Sequence, residues 1–196
     1  MIATLALWAG AVALYFGMDS SINVTSSDFQ QFNPFFVVAL TPVSVAVFAG
    51  LGKKGKEPSA PMKIGLGMFM AAVGFGVITI ASTGLTSPKD LGDAAQSVLD
   101  PYWLIGTYFT LTIAELLLSP MGISFVSKVA PPKYKGLMMG GWFAATAIGN
   151  YLSRIPSMLW NKIPLMANWA ILIGLCVVSG LIMLILRKKL EAATAE

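Results

Sequence analysis

The sequence predicts an all-α membrane protein, a bundle of six transmembrane helices, and three observations lead there. Hydrophobic residues fill 56% of the 196 positions and charged residues only 11%, and the mean hydropathy is +0.75, outside the range of water-soluble domains of this length. Six apolar segments are each long enough to cross ~30 Å of hydrocarbon as a helix. They lack the period-two alternation of an outer-membrane strand, and backbone groups in lipid must be satisfied internally, so helices are the default.

The spans run about 2–18, 34–52, 64–83, 102–127, 136–158 and 168–186, in a single domain covering 1–196. The first has no basic residue before its apolar stretch and no convincing A-x-A cleavage pattern before Asp19, so it is read as a retained span rather than a signal peptide. The second opens at "FNP", residues 32–34, where Asn33 and Pro34 suit a helix N-cap and first helical residue. Aromatic residues mark the water boundary of the later spans: Tyr102 and Trp103 open the fourth, Trp160 follows the fifth and Trp169 opens the sixth. The one long connection, residues 84–101, has room for a short amphipathic helix between Asp90 and Leu99. Cys176 is the single cysteine and can form no intrachain disulfide.

Charge sets the expected orientation. Lys53, Lys54, Lys56 and Lys63 lie between spans two and three, Lys128, Lys133 and Lys135 between four and five, and Arg187, Lys188 and Lys189 after span six. Only Lys89, Arg154 and Lys162 fall on the other side, together with Asp19, Asp28, Asp90, Asp93 and Asp100. Positive-inside bias therefore expects both termini in the cytoplasm. The net charge of +4 is read as topology rather than as a nucleic-acid footprint.

The fourth span carries an acid, Glu115, with no basic residue for more than ten positions on either side. Tyr108, Thr112, Glu115, Ser119 and Gly122 recur at steps of three and four and so share a helix face. Pro120 cannot donate to the carbonyl of Leu116, which predicts a bend one turn past the acid. An ionised group at the membrane centre costs ~2.5–3.5 kcal/mol even on insertion scales, so an acid there points to function. Glu115 must be protonated, wetted, hydrogen-bonded by a neighbour such as Asn150, or paired from outside the chain.

The fifth span, "KGLMMGGWFAATAIGNYLSR", has small residues Gly141, Ala145 and Gly149 at four-residue intervals, a pattern for close helix packing. Trp142, Thr146 and Asn150 form a second, more polar stripe. Asn150 reads equally as interhelical glue or as a ligand contact. Asn33 is similarly double, a cap or a site residue. There is no His, no metal-ligand cluster, no phosphate loop and no nucleophile paired with a base, so no catalytic residue, metal or cofactor is expected and the chain is not read as an enzyme.

Residues 102–150, "YWLIGTYFTLTIAELLLSPMGISFVSKVAPPKYKGLMMGGWFAATAIGN", resemble the tenth and eleventh helices of the proton-dependent oligopeptide transporters, a branch of the major facilitator superfamily. The set E-L-x-x-S-P-x-G-x-S, K-x-A-P-P, G-x-M-M-G-x-W-F and G-N carries the resemblance. "FQQFNPFFVVALTPV", residues 29–43, resembles the eighth helix and "GKKGKEPSAPMKIGLGM", residues 52–68, the loop and ninth helix that follow. The similarity spans nearly the whole chain but only the C-terminal six-helix half of such a transporter.

The resemblance implies uptake of di- and tripeptides coupled to protons. It implies that Glu115 binds the peptide amino terminus or takes part in proton coupling, that Asn33 lines the peptide site, that Ser119 is a small polar wall residue and that Trp142 is a pocket aromatic, with Asn150 beside them. A proton and a substrate ammonium can compete for one such carboxylate. At "VALYFGMDSSIN", residues 12–23, this sequence departs from the family's seventh helix: Val12 or Phe16 stands where a gate acid would be. The family's first six helices, with their E-x-x-E-R motif, have no counterpart here. The chain is therefore expected to need another membrane protein, either the missing half or a larger complex, besides the lipid bilayer, a small peptide and a proton. The alternative is a transport-inactive structural subunit derived from a peptide transporter. A bacterial inner membrane is the expected location.

Overall fold

Prolines set where two of the helices begin. Pro61 and Pro101 each stand in a first helical turn, where a backbone N–H has no intrahelical partner and its loss costs nothing. At the second of these starts the Asp100 carboxylate accepts the Tyr102 N–H at 3.0 Å, a cap that closes one of the open donors.

A computed structural model describes residues 28–83, 85, 100–160 and 162–195. A 3-10 turn, Asp28–Gln31, leads into α1 (Phe32–Lys53); α2 is Ala60–Ala81 and α3 is Pro101–Val129. After a 3-10 turn at Pro132–Tyr134 come α4 (Lys135–Leu152), α5 (Arg154–Leu159) and α6 (Leu165–Ala195). The expected span at 2–18, with the departures at Val12 and Phe16, and the helix expected between Asp90 and Leu99 lie outside the described residues. Among the described residues all regular structure is helical, and four helices are long and apolar enough to cross a membrane: Phe29–Lys53, Ala60–Ala81, Pro101–Val129 and Leu165–Ala192. The protein is an all-α, polytopic membrane protein.

Three boundaries differ from the sequence reading. The span expected at 136–158 is interrupted at Ser153, which separates α4 from α5. Pro156 has no N–H for the carbonyl of Leu152, which breaks the ladder there, and side chains bond carbonyls on either side: the Ser153 hydroxyl donates to the Asn150 carbonyl at 2.6 Å and the Asn168 amide to the Pro156 carbonyl at 3.2 Å. α2 starts at Ala60 rather than 64, which moves Lys63 from the linker into the helix, where it is 3% exposed. α6 runs past its basic cluster to Ala195, held there by an Arg187 Nε–Glu191 Oε1 pair at 2.6 Å, one turn apart.

α2 is the centre of the bundle, packed against α3 on one side and α6 on the other, while α1 lies on α3. Glycines permit the approach. A Cβ on Gly67 would stand 3.0 Å from the Ala114 carbonyl oxygen, and one on Gly74 2.9 Å from Leu111 Cδ2. On the other side, Gly180 of α6 receives the ring of Phe69. Such small-residue contacts let backbones meet closely in a medium where the hydrophobic effect does not drive helix pairing. α1 and α3 meet through aromatic rings, Phe36 and Phe109, edge to face with centroids 5.4 Å apart. The hydroxyls of Thr107, Thr110 and Thr112 donate to carbonyls four residues back at 2.8 Å each, so their burial leaves no donor unmet.

Gly67→Val should lower stability by roughly 1–3 kcal/mol, the usual cost of overpacking, because the nearest atom to the added carbon is backbone and cannot swing away. Gly106→Ala, where a Cβ meets nothing within 4 Å, should leave the thermal midpoint of the detergent-solubilised protein unchanged or slightly higher.

Candidate functional site

The seam between α1 and α3 brings two of the sequence-predicted site residues together. Asn33 Nδ2 donates to Glu115 Oε2 at 3.0 Å. Asn33 is free to do so because it does not cap its helix: the cap position is Gln31, with helical backbone angles and no side-chain bond, and α1 already includes Phe32. Pro34 sits in the first turn, where its missing N–H costs nothing. Of the two readings open for "FNP", the cap is thus not the conformation adopted.

The expected polar stripe on α3 divides into a buried and an open part. Thr112 is fully buried and Gly122 is buried, whereas Glu115 and Ser119, one turn apart, are exposed. Gly122 lies under the indole of Trp142 from α4, so close that any Cβ there would collide with the six-membered ring. Trp142 therefore meets α3 two turns beyond Glu115, about 10 Å along the helix at 1.5 Å per residue. The Thr146 hydroxyl is turned back onto the Trp142 carbonyl at 3.0 Å and offers its lone pairs, not its proton, to the open side. Asn150 is exposed and makes no hydrogen bond to Glu115; the donor that the acid finds is Asn33.

Glu115 and Ser119 thus open on one side of α3, with Asn33 bonded to the first of them, while Trp142 reaches the helix at buried Gly122 and Asn150 is exposed farther along α4. Gly141, Ala145 and Gly149 are exposed, and among the described residues nothing lies within 4 Å of a Cβ built at Gly141 or Gly149. The ion pairs among the described residues are Lys63–Glu57 and Arg187–Glu191, neither of which involves Glu115. Sequence reasoning missed both pairs. The i, i+4 spacing of Arg187 and Glu191 was a usable signal, whereas the Glu57–Lys63 pair depends on where α2 starts.

Four helices long and apolar enough to cross a membrane, one of them carrying an exposed mid-helix carboxylate held by an amide rather than a cation, make this a polytopic membrane protein. The sequence profile of the POT family, PTR2, matches residues 1–173, and the chain belongs to that family. It is 35% identical over 146 residues to dipeptide and tripeptide permease B of Salmonella typhimurium, covering 72% of this chain and 28% of the permease. It is 28% identical over 171 residues to the uncharacterized transporter YclF of Bacillus subtilis, covering 87% of this chain and 32% of YclF. Among solved structures, a peptide transporter POT in complex with sulfate superposes with a TM-score of 0.74 at 27% identity, covering 89% of this chain and 33% of the transporter. A POT family transporter in complex with 5-aminolevulinic acid gives 0.65 at 26% identity, covering 86% and 34%. The chain thus spans about a third or less of the length of the relatives it matches.

The Asn33–Glu115 bond should be measurable as a coupling. A double-mutant cycle of Asn33→Ala and Glu115→Ala, read by unfolding in detergent, should give an interaction energy of about 0.6 kcal/mol, the average for interhelical bonds in membrane proteins. Asn150→Ala combined with Glu115→Ala should be additive.

Proposed function

We propose that this chain supplies one wall of the substrate cavity of a proton-coupled di- and tripeptide transporter, corresponding to the C-terminal six-helix half. The observation that carries the reading is the Asn33–Glu115 pair: an exposed mid-helix carboxylate, oriented by a neutral donor and left uncompensated by any described cation. In such a site Glu115 accepts either a proton or the ammonium group of a peptide, and the competition between them couples the two movements. Asn33 fixes the carboxylate and keeps its carbonyl oxygen available to a peptide N–H. Ser119 is a small wall residue that leaves room, Trp142 closes the floor against Gly122, and Asn150 offers an amide farther along α4. No bond of the cargo is broken, so the activity is transport rather than catalysis.

Alternating access needs a second wall that rocks against the first. We assign that wall to a complementary six-helix half, borne by a partner polypeptide or by further sequence. Names of relatives such as dipeptide and tripeptide permease B, together with the share of them that this chain covers, support the assignment. The basic residues between spans two and three, between four and five and after span six favour both chain ends in the cytoplasm, and the bacterial relatives favour an inner membrane. A second reading, a transport-inactive subunit of a larger assembly, is favoured by the open Gly141, Ala145 and Gly149 face of α4, which suits a packed neighbour.

Liposomes holding this chain and a complementary half should accumulate a dipeptide under an inward proton gradient. Glu115→Gln should cut that uptake about 10- to 100-fold, the equivalent of one lost charge-assisted contact. Absence of gradient-driven uptake, with the chain co-purifying in a larger assembly, would favour the structural reading instead.

A further inference from the structure

A second polar site lies at the other end of the bundle, where α1 ends, α2 begins and α3 finishes. A cavity of about 520 Å³ opens there between the linker before α2 and the last two turns of α3, within the roughly 300–1,000 Å³ typical of small-molecule sites. Its polar wall includes Glu57, Ser59, Lys63, Ser124 and Lys128, and Met121 and Phe125 give it an apolar side; the Ser59 hydroxyl is taken by Glu191, whose charge Arg187 compensates. Lys63 is spoken for: its side chain is 4% exposed, its ammonium pairs with Glu57, and it stands 4.2 Å from the centroid of the Phe48 ring. Glu57 is neutralised by the same contact.

Lys128 is different. It is exposed at the cavity wall and has no ion pair among the described residues. Ser124 stands one turn before it on the same face of α3, and its hydroxyl makes no hydrogen bond among the described residues, unlike Thr107, Thr110 and Thr112 of that helix, which bond back to their own carbonyls. A free ammonium and a free hydroxyl one turn apart, beside a compensated ion pair, leave the cavity with one positive charge in excess and donors converging from one side. An oxyanion is the complement. The apolar side, with Met121 and Phe125 also one turn apart, accommodates carbon attached to that anion.

We propose that this cavity binds a phosphate group, with Lys128 as its counter-ion, Ser124 as a hydroxyl donor and Met121 and Phe125 flanking the carbon part. Two sources share this chemistry, the headgroup of an anionic phospholipid and a soluble phosphate, and the position at the basic end of the helices is where anionic headgroups concentrate.

The test uses the whole 196-residue chain in mild detergent, with native mass spectrometry reading bound dioleoylphosphatidylglycerol against dioleoylphosphatidylcholine, and inorganic phosphate as the soluble probe. The wild type should retain the anionic lipid several-fold over the zwitterionic one, or retain inorganic phosphate directly; the first result names the lipid as the source, the second a soluble phosphate. Lys128→Ala should reduce that retention about tenfold and Ser124→Ala about threefold, while Lys189→Ala, basic but outside the cavity, should leave it unchanged. Equal loss from Lys128→Ala and Lys189→Ala would mean diffuse surface attraction, and no preference for any phosphate would leave the cavity without this role; either overturns the proposal. Both exchanges at α3 replace side chains outside the helix contacts, so retained α-helical circular dichroism checks that the bundle persists.

Discussion

A carboxylate in the middle of an apolar helix has to be accommodated, and much of this bundle follows from how that is done. Placing an uncompensated ion at the membrane centre costs ~2.5–3.5 kcal/mol on insertion scales and more on isolated helices. The structure meets Glu115 with a neutral amide from α1 at 3.0 Å and leaves the rest of the carboxylate exposed. An amide can orient an acid without cancelling its charge. Among the described residues no cation pairs with it, whereas an Arg or Lys partner from the same chain would have compensated the charge.

The surrounding packing supports that arrangement. Gly67 and Gly74 press α2 onto the back of α3, and the Phe36–Phe109 contact fixes α1 along its flank, so Asn33 is delivered to the height of Glu115. Gly122 takes the Trp142 ring on the same helix, two turns on. Rigid helix contacts thus lie behind the polar pair while the side in front of it stays open. That division between a packed back and an open front is what a cavity wall requires.

Much of this was legible in the chain. Hydropathy located the long described helices, because in lipid a backbone has few alternatives, and the four-residue step placed Glu115 and Ser119 on one exposed face. What was not legible depends on partners distant in sequence. Asn33 reads locally as a cap, and only the approach of α3, 82 residues on, gives its amide a better acceptor. Thr112 belongs to the polar stripe by spacing yet is buried, since its hydroxyl is satisfied within its own helix. The break at Ser153 had a local signal in Pro156 that the length of the apolar run concealed. The pairing of Lys63 with Glu57 followed from a helix start that the run of basic residues had obscured.

The central claim is that the side of α3 bearing Glu115 and Ser119 borders water and substrate, not acyl chains. Aqueous maleimide labelling of Ser119→Cys, in a Cys176→Ala background and in membranes that contain the complementary half, tests it most directly. The account predicts rapid reaction with a charged, membrane-impermeant maleimide and clear protection by a saturating dipeptide. Reaction only with a lipid-soluble maleimide, indifferent to dipeptide, would contradict it.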